Sequence, residues 1–125
     1  MTLNQELMKM AQEEADILAK FKTLKKTNRK LGEKPLGENV AMIIKSKANG
    51  NTVTNFWYDE VKEHNFKNHS HQLVSENFTQ LVWKGTKEVG FGLAKGSQGE
   101  ILTVAYYYPA GNTKGDFEKN VLPAK

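Results

Sequence analysis

Residues 76–86 carry the densest pattern in the chain and constrain its fold most. Phe78, Leu81 and Val82 recur at the i, i+3 and i+4 spacing of one helix face. Ser75 stands just before them as a candidate N-cap whose hydroxyl can accept a backbone N–H, and Gly85 follows as a candidate C-cap. The spacing predicts a short helix that begins with a polar turn. Periodicity alone leaves two interpretations open, a helix at the edge of a cleft and a plain core helix.

Two further helices are predicted earlier in the chain. The apolar positions of residues 3–21 recur every three or four residues and predict an amphipathic helix, which Thr2 and Gln5 begin as a capping box. A later helix begins at Asn51 or Thr52. One face of that helix carries Trp57, Glu60, Val61 and His64. Glu60 therefore lies within an apolar stripe, which makes it a functional candidate.

The remaining patterns are those of strands. Residues 40–44 are a continuous apolar run that follows Glu38 and Asn39, and a carboxylate in that position needs a partner to offset its desolvation. Residues 88–94 alternate as in a half-buried strand, residues 96–99 suit a hairpin connection, and residues 101–108 are apolar on both faces, as in a central strand. The chain is therefore predicted to be one α+β domain over residues 1–125.

Composition excludes several classes of function. The chain of 125 residues has no cysteine, which excludes disulfides and thiolate chemistry and suits a reducing compartment. No apolar run approaches the ~18 residues of a membrane span. Basic residues number 18 against 14 acidic ones, but Arg29 is the only arginine, so the readout of nucleic-acid bases is not favoured. We expect no nucleic-acid partner.

Most of the excess positive charge lies in residues 20–34. A basic run of this kind is ordinarily a solvated loop or helix tail. The functional alternative is contact with anionic lipid headgroups, which stabilises by up to ~1 kcal/mol per lysine. The candidate membrane-contact residues are Lys20, Lys22, Lys25, Lys26, Arg29 and Lys30.

Several ordered segments resemble the signature segments of the CAP superfamily, which contains the cysteine-rich secretory proteins, antigen five and the plant pathogenesis-related proteins. The segments are residues 7–15, 37–41, 57–61, 77–83 and 107–112. The tail at residues 120–123 and the lack of cysteine resemble the intracellular branch, the Golgi-associated plant pathogenesis-related proteins. The resemblance implies a three-layer α-β-α sandwich with a large cleft.

In the family this cleft is lined by two histidines and two glutamates that can hold zinc. By resemblance, Glu38 and Glu60 are the two glutamates, whereas Asn77 stands in place of one histidine and the other falls near Thr27, where no histidine occurs. Two carboxylates without imidazole make a poor zinc site, so we expect no metal ligand and no cofactor. Asn77 can instead donate its amide N–H groups to Glu38 or Glu60. Gln80 completes the predicted cleft set.

Two questions about the site stay open at this stage. His69 and His71 lie in a polar loop and either replace the lost imidazoles or are bystanders. The first helix of the family also precedes the segment with which this sequence begins. Its loss would expose apolar surface, so that either the sequence is shortened or a partner chain covers the gap, and we expect a homodimer.

The resemblance implies a non-enzymatic protein that associates with membranes and binds lipid, with a sterol or fatty acid as ligand and no catalytic residues. The implied location is intracellular, cytoplasmic or at the periphery of Golgi membranes, with secretion as the alternative. Two other functions remain in view. One is a protein-interaction module in defence or reproduction. The other is a weak hydrolase in which Glu38 or Glu60 acts as the base beside Thr79 or Ser75.

Overall fold

A four-stranded sheet forms the middle of the fold. The computed structural model describes residues 1–21, 24, 26, 29–43, 50–97 and 99–123. The sheet contains β1 (Thr2–Leu3), β4 (Gly37–Ile43), β5 (Glu88–Lys95) and β6 (Ile101–Tyr108), in the order β1-β5-β6-β4. The last three strands are antiparallel neighbours, and β1 pairs in parallel with β5. A separate two-stranded hairpin is formed by β2 (Lys30–Leu31) and β3 (Lys34–Pro35).

The central position predicted for the last strand is confirmed. β6 lies between β4 and β5, and its side chains alternate between two apolar cores. Leu102, Val104 and Tyr106 face one core, whereas Ala105 and Tyr107 face the other. Because both faces of β6 are buried, its sequence is apolar throughout. The predicted hairpin is also present, since the backbone N–H of Gly96 donates to the carbonyl oxygen of Glu100 at 2.7 Å.

One face of the sheet is covered by α1 (Gln5–Phe21), whose buried stripe is Leu7, Met10, Ala11, Ala15 and Leu18. The predicted capping box is wrong. Thr2 and Leu3 belong to β1, and Asn4 caps the helix by accepting the N–H of Leu7 at 3.0 Å. Pairing with β5 draws the first residues into the sheet, because the N–H of Thr2 donates to the carbonyl of Lys87 at 2.9 Å.

Helix α1 packs closely against β5. A Cβ atom on Gly90 would collide with the backbone of Leu7 and Met8, so only glycine permits this approach. The Gln12 side chain also covers the edge of β5, since its Nε2 donates to the Leu93 carbonyl at 2.7 Å and its Oε1 accepts the Leu93 N–H at 3.2 Å. This edge is therefore protected from pairing with another chain.

The opposite face is covered by α2 (Gly50–Tyr58), which buries Val53 and Trp57 against the sheet. We predicted a helix that begins at Asn51 or Thr52 and has one continuous face as far as His64, and both statements need correction. The helix begins at Gly50, and it continues as a 3-10 helix at Asp59–Glu63. The 3-10 helix changes the direction in which the following side chains project, so that the predicted face is not continuous.

The central helix is α3 (Glu76–Val82), preceded by a 3-10 helix at Leu73–Ser75. Ser75 does not cap α3 with its side chain, because its Oγ forms a 2.8 Å hydrogen bond with Nδ1 of His64. Gly85 is not the C-cap, because the helix ends at Val82 and Trp83 is the C-cap residue. A short helix, α4 (Phe117–Asn120), packs against Phe78 and Trp83. No helix in the described part of the chain is long and apolar enough to cross a membrane.

Candidate functional site

Glu60 and Asn77 meet at the start of α3. The carboxylate of Glu60 accepts the Asn77 side-chain N–H on Oε2 and the backbone N–H of Phe78 on Oε1, both at 3.0 Å. The N–H of Phe78 belongs to the first turn of the helix, which has no intrahelical partner for it. Glu60 therefore caps α3 from a distant segment, which is the role that the sequence pattern assigned to Ser75.

Asn77 is also tied to the sheet through its backbone. Its carbonyl oxygen accepts the Nδ2 group of Asn39 at 3.0 Å, and Asn39 donates in addition to the Tyr107 hydroxyl at 3.2 Å. Burial raises the pKa of Tyr107, and the hydrogen bond from Asn39 offsets this only in part. Among the described residues, the side-chain oxygens of Asn39 and Asn77 have no hydrogen-bond partner. This network fixes α3 to β4 and β6.

Glu38 and Gln80 lie at a neighbouring cavity of about 240 Å³. Glu38 pairs in register with Tyr106, whose side chain lies in the core beneath α1. The residues that line the cavity include Glu38 and Gln80, but neither Glu60 nor Asn77. Of the four predicted cleft residues, one pair is thus joined by a hydrogen bond, and the other two line a separate recess.

Gln80 is fully buried and connects three segments. Its Oε1 accepts the N–H of Gly111 at 2.8 Å, and its Nε2 donates to the hydroxyl of Thr86 at 3.2 Å. A Cβ atom on Gly37 would collide with this side chain, so the start of β4 passes directly against it. Both polar ends of Gln80 have protein partners, which indicates a structural role.

His71 reaches the recess, whereas His69 does not. Nε2 of His71 lies 3.1 Å from Oε2 of Glu76, its ring stacks on Phe117, and it lines the same cavity as Glu38. Lys26 forms an ion pair of 3.1 Å with the other oxygen of Glu76. His69 lies 4.0 Å from Glu118 at the surface. No pattern in the sequence predicted Glu76 as the shared partner of His71 and Lys26.

The donor set does not fit zinc. Within the described residues, no group of three or more histidine, cysteine, aspartate or glutamate side chains could hold a metal ion. Asn77 directs its N–H group at Glu60, and a nitrogen that carries these hydrogens cannot act as a ligand. The absence of tight zinc binding stays a prediction.

The hydroxyl groups that a hydrolase mechanism would need are inaccessible. Ser75 contacts His64, as in a serine and histidine pair, and burial lowers the pKa of His64. Ser75 and Thr79 are both fully buried, however. The Thr79 hydroxyl also donates to Asn112 and to the backbone carbonyl of Glu76. Neither hydroxyl can reach a substrate in this arrangement.

The predicted membrane-contact residues differ in what surrounds them. Arg29 lies 3.6 Å from Glu14 and 3.9 Å from Glu13, and it donates to the carbonyl of Met10, so it anchors its segment to α1. Lys20 lies over the ring of Phe21, and Lys30 is exposed. Lys22 and Lys25 lie outside the described residues, as do Thr27 and Ile44.

An apolar groove on the α2 side of the sheet was not anticipated. It encloses about 250 Å³, and Met1, Thr54 and Phe91 belong to its lining. The hydroxyl of Thr103, at its wall, is buried and has no partner among the described residues. The remaining lining residues are Val53, Trp57, Leu81, Val89, Ala105 and Tyr107. The alternation in β5 and β6 predicted that some of these side chains share a face, but not that the face is left partly open.

The layers of helix and sheet are those of a CAP domain. The family model described as CAP, the Cysteine-rich secretory protein family, matches residues 1–107, and the chain belongs to this family. Golgi-associated plant pathogenesis-related protein 1 from Homo sapiens is 38% identical over 121 residues, which are 95% of this chain and 77% of that protein. Venom allergen 5 from Dolichovespula arenaria is 37% identical over 62% of this chain and 43% of its own length.

Solved structures have the same fold. BmVAL-1 superposes with a TM-score of 0.71 at 23% identity over 91% of this chain, and NaASP2 with Zn²⁺ with a TM-score of 0.68 at 26% identity over 92%. The chain spans 61% and 63% of the lengths of these two chains. The family and the α+β class expected from the sequence are therefore confirmed.

Proposed function

We propose that the protein is a non-enzymatic CAP-domain protein that binds an apolar lipid and associates with anionic membrane surfaces. The observation that carries lipid binding is the groove of about 250 Å³ between α2 and the sheet. Its lining is predominantly aliphatic and aromatic, so a ligand gains about 25 cal/mol for each Å² of apolar surface that it buries. A fatty acid or a sterol fits this chemistry better than a polar metabolite does.

Membrane association is supported by the basic segment that follows α1. Lys20 and Lys30 are exposed and carry no ion pair among the described residues. Lys26 and Arg29 pair with glutamates, which neutralise part of the positive charge that they could offer to a membrane. The name of the human relative, a Golgi-associated protein, supports a location at Golgi membranes. Secretion is the alternative location.

The absence of catalysis is supported by the chemistry of the cleft. The Ser75 and Thr79 hydroxyls, which the hydrolase alternative would use, are buried, and both carboxylate oxygens of Glu60 accept hydrogen bonds. One solved relative is described with Zn²⁺. In this chain an amide pairs with Glu60 where the family has a histidine, so we expect neither tight zinc binding nor zinc-dependent hydrolysis.

Titration with a fluorescent polyene fatty acid and with a fluorescent sterol tests the lipid proposal. Phe91→Glu places a charge at the rim of the groove and should weaken binding at least tenfold, because about 1.4 kcal/mol of lost apolar contact is enough for that factor. Phe56→Glu is the matched control, since Phe56 is an exposed aromatic residue of α2 that does not line the groove. No saturable binding by the wild type, or equal losses in both variants, would refute the proposal.

A second copy of the chain is the competing occupant of the groove. Met1 and Phe91 are exposed apolar residues that line the groove, and a homodimer would bury them. We therefore propose a homodimer for the ligand-free protein. Multi-angle light scattering with and without the fatty acid separates the cases. A monomer mass without ligand contradicts the dimer, and a dimer that binds no fatty acid contradicts the lipid proposal.

A further inference from the structure

Three large apolar side chains are exposed at the end of α1 and just beyond it. Ile17 is 46% exposed, Phe21 is 66% exposed, and Leu24 is 45% exposed. Ile17 and Phe21 are four residues apart in the helix and so are neighbours on its surface. A soluble helix has no need for such residues outside its buried stripe, and their clustering is more informative than a single exposed leucine.

Positive charge is concentrated in the sequence from Lys20 onward, which includes Phe21 and Leu24. Nζ of Lys20 lies 5.7 Å from the centre of the Phe21 ring. Residues 20–34 contain six lysines, one arginine and a single acidic residue, Glu33. Lys26 and Arg29 hold their segment against the body of the protein through Glu76, Glu13 and Glu14. Phe21 and Leu24 therefore belong to a strongly basic stretch of sequence, in which Lys26 and Arg29 pair with glutamates elsewhere in the protein.

The chemistry of this surface favours a membrane over a protein partner. The three side chains together offer on the order of 300 Å² of apolar surface. A stable protein interface needs about 800 Å² from each partner. An anionic bilayer has no such requirement, because isolated apolar side chains can enter the headgroup region while neighbouring lysines contact the lipid phosphates.

We propose that Ile17, Phe21 and Leu24 form a membrane-insertion ridge that enters the interface of anionic bilayers. The inference rests on the proposed membrane association and deepens it by assigning the side of the molecule that faces the lipid. The lysines supply a component of binding that salt screens, and the ridge supplies a component that salt does not screen. Binding at high ionic strength should therefore depend on the ridge.

Vesicle flotation at low and high salt tests the ridge, with vesicles of phosphatidylcholine containing phosphatidylserine. The double variant Phe21→Ser with Leu24→Ser should lower the partition coefficient about 30-fold at both salt concentrations. Lys20→Gln with Lys30→Gln should lower it mainly at low salt. The matched control is Leu73→Ser with Val74→Ser, because these adjacent residues are 78% and 65% exposed on another segment. The control should bind as the wild type does.

A second measurement reports insertion directly. Phe21→Trp should be quenched by lipids that carry bromine on their acyl chains, whereas Leu73→Trp should not. Trp57 and Trp83 are buried and supply a constant background. If the wild type binds and the ridge variant binds equally well, or if Phe21→Trp is not quenched, the ridge is refuted and membrane association stands. If the wild type floats with no vesicles at either salt concentration, both proposals are refuted.

Discussion

Replacing Glu60 by alanine should destabilise the fold substantially, because the carboxylate joins two segments that are distant in sequence. The change leaves the Asn77 side-chain N–H and the Phe78 backbone N–H without their acceptor. An unsatisfied buried donor costs about 1–3 kcal/mol. Glu60 is only half-buried, so water recovers part of each bond, and we expect a total loss of about 3 kcal/mol. For a domain of this size, that loss lowers Tm by roughly 10 °C.

Glu60→Gln should cost much less, and the reason lies in Asn77. The side-chain oxygen of Asn77 is buried and has no partner among the described residues. If the Asn77 side-chain amide turns over, so that its oxygen and nitrogen exchange positions, this oxygen accepts the new side-chain N–H at position 60. The side-chain oxygen at position 60 still accepts the Phe78 N–H. Both hydrogen bonds are then kept without a charge. We expect a loss of about 1 kcal/mol, chiefly from the weaker interaction with the helix N-terminus.

Urea unfolding followed by tryptophan fluorescence measures these differences, with Glu63→Ala as the control. Glu63 is an exposed residue of the same 3-10 helix, so its loss should change the free energy of unfolding by less than about 0.5 kcal/mol. Two results would refute the reasoning. The first is a Glu60→Ala protein as stable as the Glu63→Ala protein. The second is a Glu60→Gln protein as unstable as Glu60→Ala, which would mean that the Asn77 amide cannot turn over.

Three other predictions concern pH, metal and packing. Burial lowers the pKa of His64 in the folded protein, so His64 is protonated in the unfolded chain before it is protonated in the folded one as the pH falls. The contribution of neutral His64 to stability is therefore complete above pH ~6.5 and is lost as the pH drops through the lower folded pKa. Urea midpoints between pH 7.5 and 5 should therefore fall less in His64→Gln than in the wild type, and equal slopes would contradict this. Isothermal titration with zinc should show no submicromolar binding, and such binding that disappears in Glu60→Gln would overturn our account of the cleft. Gly90→Ala should destabilise by about 3 kcal/mol, because its methyl group meets the backbone of α1, and a urea midpoint near that of the wild type would show that this helix can move away.

The sequence predicted β5 and β6 because short-range patterns determine these strands, whereas the residues of β1 were assigned to the start of the first helix and β4 begins at Gly37, before the predicted apolar run. The alternation of Val89, Phe91 and Leu93 and the apolar run at residues 101–108 correspond to β5 and β6. Helix starts were predicted less well, because capping depends on which acceptor is nearest in space. Asn4 caps α1 where Thr2 was predicted to do so, because Thr2 pairs with β5 in the sheet. Glu60 caps α3 where Ser75 was predicted to do so. Both replacements depend on tertiary contacts that local patterns do not contain.

The candidate site was predicted as a set of residues but not as a geometry. Resemblance identified Glu60 and Asn77, and their hydrogen bond matches the expectation that the amide would pair with a glutamate. The location of Glu38 beside Gln80 follows from the register of β4 against β6, which no single segment specifies. His71 lines the recess with its ring held by Glu76, five residues further along the chain, and by Phe117 from a distant segment.

The Asn77 side chain explains why this cleft can be stable without a metal. A metal bridges ligands from separate segments and so holds a cleft together. Here the Asn77 amide and the Phe78 N–H occupy one oxygen each of the Glu60 carboxylate, and the Asn77 carbonyl binds Asn39 on the sheet. Each Glu60 oxygen keeps a further lone pair, but a cation that approached it would meet the N–H groups of Asn77 and Phe78 in place of additional ligands. Hydrogen bonds therefore perform the cross-linking, and we expect this arrangement to disfavour a metal at Glu60.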